Sequence, residues 1–129
     1  MDKLVIAIME VSKRYDAFLE VNKSKFYAIL MPLNNVDDFK TLQAEVRKEH
    51  KKAKHLVYAY RVGSASKSSD DQEPKGTAGH PLMDLLYKKD LNNCVLFVAR
   101  YFGGTKLGAG RLLRTYLQAG INVVSLLEN

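Results

Sequence analysis

A single cysteine, Cys94, among 129 residues excludes a disulfide framework and makes a reducing cytoplasm the expected compartment. It sits inside an apolar run and reads as a packing residue. Long hydrophobic runs are also missing. The stretch Leu4-Val5-Ile6-Ala7-Ile8-Met9 is too short to span a bilayer, Asp2 and Glu10 flank it, and no small-residue cleavage site follows. Neither a membrane segment nor an export signal is expected. The three histidines, His50, His55 and His80, show no His-Glu-x-x-His spacing and there is no paired cysteine, so no metal site is expected. The glycine-rich stretch 103–110 contains no Gly-x-x-x-x-Gly-Lys-Ser/Thr. Its Gly108-Ala109-Gly110 is followed at position 113 by leucine where the dinucleotide fingerprint needs glycine, so no nucleotide cofactor is expected.

What remains is one domain's worth of chain, 1–129, long enough to bury a core. Its 20 basic and 14 acidic side chains leave a net charge of +6, which favours phosphate-bearing or acidic partners if the charges cluster and serves general solubility if they do not.

The chain is organised around residues 94–116. Cys94-Val95-Leu96-Phe97-Val98-Ala99 reads as a central strand buried on both faces, ending at Arg100-Tyr101-Phe102 and a glycine loop. Leu112, Leu113, Tyr116, Leu117, Gly120, Val124 and Leu127 then recur at helical spacing. Upstream, residues 3–11 suit an edge strand or an amphipathic lead-in. The runs 15–21 and 25–31 form a hairpin about Asn22-Lys23-Ser24, and Pro32 ends the second strand. Asn34 or Asn35 caps a helix with Asp37 and Asp38 in its first turn and Val36, Phe39, Leu42 and Val46 on one face. The basic end of that helix, Arg47, Lys48, Lys51, Lys52 and Lys54, is either a solvated helix terminus or a nucleic-acid patch. Residues 55–62 read as the next strand, with Tyr58 and Tyr60 in the core. The segment 63–80 has no apolar periodicity, and a loop of that length tends to be functional or disordered. Pro81 begins a short helix with Leu82, Leu85 and Leu86 on one face.

Two places in this chain favour an anion. Arg100, Lys106, Arg111 and Arg114 are the charges between 100 and 114, no acidic residue lies among them, and Gly104, Gly108 and Gly110 allow close backbone approach at a helix start. The turn Gly76-Thr77 precedes a second helix start of the same kind. Asp70, Asp71, Glu73 and His80 are the residues an acid-base or magnesium chemistry would use, yet no nucleophile or metal set completes them. The alternative is a solvated acidic loop paired with the basic glycine loop.

The stretches Asp70-Asp71-Gln72-Glu73-Pro74-Lys75-Gly76-Thr77-Ala78-Gly79-His80-Pro81 and Arg100-Tyr101-Phe102-Gly103-Gly104-Thr105-Lys106-Leu107-Gly108-Ala109-Gly110-Arg111-Leu112-Leu113-Arg114-Thr115-Tyr116 closely resemble the paired signatures of the YigZ/IMPACT family. The likeness reaches back through Asn22-Lys23-Ser24-Lys25-Phe26 and covers about residues 14 to 127. It implies an α+β fold similar to the second domain of ribosomal protein S-five, with a mixed sheet and helices packed on one face. Bacterial relatives usually add a C-terminal ferredoxin-like domain and eukaryotic ones an N-terminal RWD domain. Neither is expected in 1–129. Eukaryotic members restrain an amino-acid-starvation kinase pathway of translation by binding its ribosome-associated activator. Arg111 and Thr115 stand where many relatives carry glycine and alanine.

The expectation is a small cytoplasmic binding or regulatory protein linked to translation. It would hold phosphates of RNA, or of a ribosome-associated protein, with Gly76, Thr77, Arg100, Gly104, Lys106, Gly108, Gly110, Arg111 and Arg114. A hydrolase of a phosphorylated or peptide substrate, and a protein-binding module with Tyr101, Phe102 and Leu107 as an apolar rim, are the alternatives.

Overall fold

The computed structural model describes residues 9–128, so the expected edge strand or lead-in over 3–11 lies largely outside the described residues. Five strands form one sheet: β1 (Tyr15–Val21), β2 (Ser24–Pro32), β3 (His55–Val62), β4 (Ala65–Ser69) and β5 (Cys94–Tyr101), in the order β1-β2-β5-β3-β4. The β1–β2 hairpin turns on Asn22 and Lys23, both at positive φ (47° and 67°), the conformation a two-residue turn needs to match the twist of its strands. Pro32 is the last residue of β2.

Helix α1 (Phe39–Glu49) follows a 3-10 turn capped by Asn35, whose Oδ1 accepts from the Asp37 amide at 2.9 Å. Helices α2 (Gly79–Lys88) and α3 (Ala109–Val124) flank β5 in sequence. The expected α+β class stands, but two details of it differ. Every neighbouring pair of strands is antiparallel. A strand-helix-strand run such as β2-α1-β3 reads as parallel neighbours, yet β5 inserts between β2 and β3 and pairs antiparallel with both.

The helices also cover both faces rather than one. Phe26, Ala28, Val57, Leu96 and Val98 pack with α2 and α3 through Leu82, Leu86, Leu112 and Tyr116. The alternate residues Ile29, Tyr58, Tyr60, Val95 and Phe97 pack with α1 through Phe39 and Val46. Phe39 lies within 6 Å of the Tyr58, Tyr60 and Phe97 rings, by centroid distances of 4.6, 4.9 and 5.9 Å. The physical reason is β5 itself: Cys94 to Ala99 are fully buried, and a strand apolar on both sides must be covered on both.

The segment 63–80 is not one loop, because it contains β4. That strand, Ala-Ser-Lys-Ser-Ser, is exposed along most of its length and gives no apolar alternation to read. Among the described residues no helix is long and apolar enough to cross a membrane.

Two glycines hold elements at contact distance. A Cβ on Gly120 of α3 would come within 2.9 Å of Leu85 Cδ2 of α2, and one on Gly103 would overlap the Lys23 carbonyl and the Ser24 nitrogen. The Gly103 amide donates to Ser24 Oγ at 3.2 Å, tying the end of β5 to the hairpin turn. Gly103→Ala should therefore cost about 1–3 kcal/mol through overpacking, read as a lowered urea midpoint at unchanged m-value. An unchanged midpoint would mean that the hairpin does not pack on Gly103. Burial pushes the Cys94 thiol up to about 12. In native buffer near neutral pH Cys94 should resist an aromatic disulfide reagent and react only after urea unfolds the chain. Prompt labelling of the folded protein contradicts this placement.

Candidate anion-binding cleft

The long segment after β3 is held by its carboxylates, each committed to a partner inside the fold. Asp70 reaches the start of α2, where Oδ2 accepts from the Gly76 amide at 2.9 Å and Oδ1 from the Gly79 and Ala78 amides at 2.8 and 3.2 Å. It neutralises the positive end of that helix from within the chain. Asp71 accepts from the Leu56 amide at 2.6 Å, lies 3.5 Å from Arg47, and its carbonyl meets His55 Nδ1 at 2.6 Å. A carbonyl can only accept, so Nδ1 carries the hydrogen, and Nε2 is the ring nitrogen turned toward Glu73.

Glu73 is buried. Arg100 Nη1 donates to its two oxygens at 3.0 and 2.7 Å, the Tyr116 hydroxyl donates at 2.5 Å, and His55 Nε2 lies 3.4 Å away. Burial first, and the Glu73 charge after it, push the Tyr116 phenol far above its ordinary value, so it acts as a donor. Arg100 itself is only 5% exposed, and its Nε–H has no partner among the described residues.

These placements change the sequence expectations. The Gly76-Thr77 turn does not offer a free anion site, because Asp70 takes the Gly76 amide and the Thr77 amide donates to the Pro74 carbonyl. Arg100 is engaged by Glu73. Asp70, Asp71, Glu73 and His80 do not converge as an acid-base set: three are engaged as above, and His80 pairs with Asp84 at 3.1 Å on the exposed side of α2. Glu73 pairs with Arg100 of β5 in the interior, so the acidic segment is not a solvated loop paired with the glycine loop. Among the described residues no group of His, Cys, Asp and Glu is placed to hold a metal ion.

The start of α3 is different. Gly108, at φ 79°, precedes it and no side chain caps it, so the first amides of the helix are left without intrahelical partners. Gly108 and Ala109 at this start line a cleft of about 290 Å³ whose polar lining includes Lys54, His55, Glu73, Arg100 and Lys106, and whose apolar wall includes Phe102 and Leu107. The Lys54 ammonium lies 4.8 Å above the Phe102 ring. Of the expected anion ligands, Arg100, Lys106 and Gly108 line this cleft. Gly104, at φ 90°, shapes the loop, Gly110 opens the helix, and Arg111 and Arg114 are exposed on α3 without lining it. Lys54 was read only within the basic run after α1, and His55 and Tyr116 were not legible as site residues. The register that sets His55 opposite Arg100 is invisible until strands pair, and Tyr116 reads as one more position of an apolar stripe.

An α+β domain with an antiparallel sheet and a basic cleft at an uncapped helix start is thus defined. The Impact N-terminal domain model matches residues 22–124, and the chain belongs to this family. It is similar to the IMPACT family member YvyE of Bacillus subtilis (strain 168), at 36% identity across 84% of this chain and 52% of that protein. The Escherichia coli (strain K12) member YigZ is also 36% identical, across 80% of this chain and 52% of its own length. The chain spans about half the length of these curated relatives. A crystal structure described as that of an hypothetical protein superposes with a TM-score of 0.86 at 30% identity, over 90% of this chain and 59% of that one.

Breaking a buried charge pair is costly because the survivor is stranded, whereas replacing both partners by apolar groups can be nearly neutral. Glu73→Ala should lower stability by about 3–5 kcal/mol, and Glu73→Leu combined with Arg100→Met should recover most of that loss in urea titrations. A single-site cost below about 1 kcal/mol would remove the pair from its central place.

Proposed function

We propose that this chain is a small binding or regulatory protein that holds RNA phosphates in the cleft at the start of α3, and that it acts in translation, the setting its resemblance to the YigZ/IMPACT family implies. The observation that carries the reading is the contrast between the two helix starts. The first is filled by the chain's own Asp70. The second has no capping side chain and is edged by Lys54 and Lys106. Free amides at a helix start and flanking ammonium groups are the components of a phosphate site. Arg100 and Glu73 match each other's charge in the cleft lining, so the net positive character of the cleft comes from Lys54 and Lys106. Leu107 and Phe102 lower the local dielectric, which strengthens each of these attractions.

Binding carried by phosphates must weaken as salt rises. For single-stranded RNA the logarithm of affinity should fall linearly with the logarithm of salt, by about 0.7 per phosphate neutralised. Lys54→Ala with Lys106→Ala should reduce that slope by about 1.4 and weaken binding at every salt concentration. No detectable binding at low salt, or a slope the double substitution leaves alone, sinks the reading.

A further inference from the structure

The sheet face turned away from α2 and α3 is not fully covered. α1 ends at Glu49, and beyond it a corner of β1, β2 and β5 carries aromatic rings in contact with one another. Phe18 of β1 is 50% exposed and stands opposite Tyr27 of β2, with ring centroids 4.9 Å apart. Tyr27 lies 5.5 Å from Tyr101 of β5, with ring planes at 80°. His50 Nδ1 meets the Tyr101 hydroxyl at 2.6 Å and fixes that ring. Phe102, 42% exposed, continues the row into the cleft at α3.

Lysines surround these rings. Lys23 and Lys25 share a hollow of about 420 Å³ with Tyr27, Tyr101 and Phe102. Lys48, Lys51 and Lys52 share another, of about 350 Å³, with Tyr101 and Glu49. Tyr101 joins the two hollows, and Phe102 joins the first to the cleft. Among the described residues none of these lysines forms an ion pair. Arg14 holds two of the nearby carboxylates, Glu49 at 2.7 and 2.8 Å and Asp16 at 2.8 and 3.0 Å. Glu20, opposite Lys25 in the hairpin register, is set against the positive charge.

We propose that this face stacks the bases of single-stranded RNA while its phosphates run between the lysines and into the cleft, a proposal that rests on the phosphate reading of that cleft. Lysines alone would suit any polyanion. Exposed rings interleaved with unpaired lysines match the two parts of a nucleotide, a flat π-face and a charged phosphate. A duplex hides its base faces, whereas an unpaired strand can lay them on a sheet.

The test measures fluorescence anisotropy of a labelled oligouridine of about eight nucleotides, a length within the range such surfaces accept, beside calorimetry with uridine 5′-monophosphate, whose single phosphate the cleft would hold. Phe18→Ala and Tyr27→Leu, with far-UV circular dichroism as the control for folding, should each weaken the oligomer at least about fivefold and leave the mononucleotide unchanged. Lys106→Ala should weaken both ligands. If Lys106→Ala weakens the oligomer while neither ring substitution does, the stacking face is overturned and the cleft stands. If the ring substitutions weaken the oligomer and Lys106→Ala does not, the cleft reading fails instead. Equal affinity for an RNA duplex of the same length, or an equal response of poly-glutamate to Phe18→Ala, would make the face a general polyanion or protein surface and overturn the proposal.

Discussion

The pairing of Glu73 with Arg100 is the constraint on which the remaining arrangement depends. Arg100 lies near the end of the central strand, Tyr116 on α3 and His55 at the start of β3, and all three converge on one buried carboxylate. Taking two charges out of water contributes little net stability, but it penalises any arrangement that leaves either one alone. The segment carrying Glu73 has few apolar side chains and would otherwise have little reason to adopt one path. Held at Glu73, it brings Asp70 to the amides of α2 and Asp71 to the Leu56 amide. The acidic residues of this stretch are therefore spent on the interior and on backbone donors. A modest excess of positive charge over the whole chain thereby becomes a concentrated one on part of its surface.

The same local design occurs at two helix starts with opposite results. Gly76 and Gly108 each take φ 79° before a helix. At the first, a carboxylate six residues earlier folds back and occupies the amides. At the second it cannot happen locally, because residues 100–114 contain no acidic side chain. The absence of a carboxylate in that stretch is what leaves α3 open, and Lys54 and Lys106 at the rim make an external anion the natural replacement.

Much of this was legible in the sequence. Alternation and turn chemistry locate the hairpin, Asn35 and the acidic first turn locate α1, and the unbroken run at 94–99 locates the central strand. β4 was not legible, because an exposed edge of serine and lysine has no apolar period. The placement of α1 opposite α2 and α3 followed from a strand buried on both faces, a feature present in the sequence whose consequence for helix placement is drawn only when the alternating sets are sorted by face. The burial of Arg100 is of another kind. It depends on a partner 27 residues away and on a cross-strand register, and nothing local distinguishes an arginine that meets solvent from one that meets Glu73.

The division of labour between arginine and lysine bears on the kind of binding proposed for this surface. Arg14 clamps Asp16 and Glu49, Arg47 donates to the Ala53 carbonyl, Arg61 donates to the Leu91 carbonyl, and Arg100 holds Glu73. These planar forks are committed to fixed acceptors, a use their geometry favours. The cations left around the cleft and the aromatic corner are lysines, which are compact charges on flexible stems. Such groups attract phosphate without imposing the bidentate geometry that reads a particular base edge. The scaffold beneath them is fixed, since Gly103 packs against Lys23 and the Lys54 amide donates to the Arg100 carbonyl at 2.8 Å. A rigid platform with mobile charges and exposed rings favours sequence-tolerant recognition, in which affinity follows strand flexibility and ionic strength more closely than base identity.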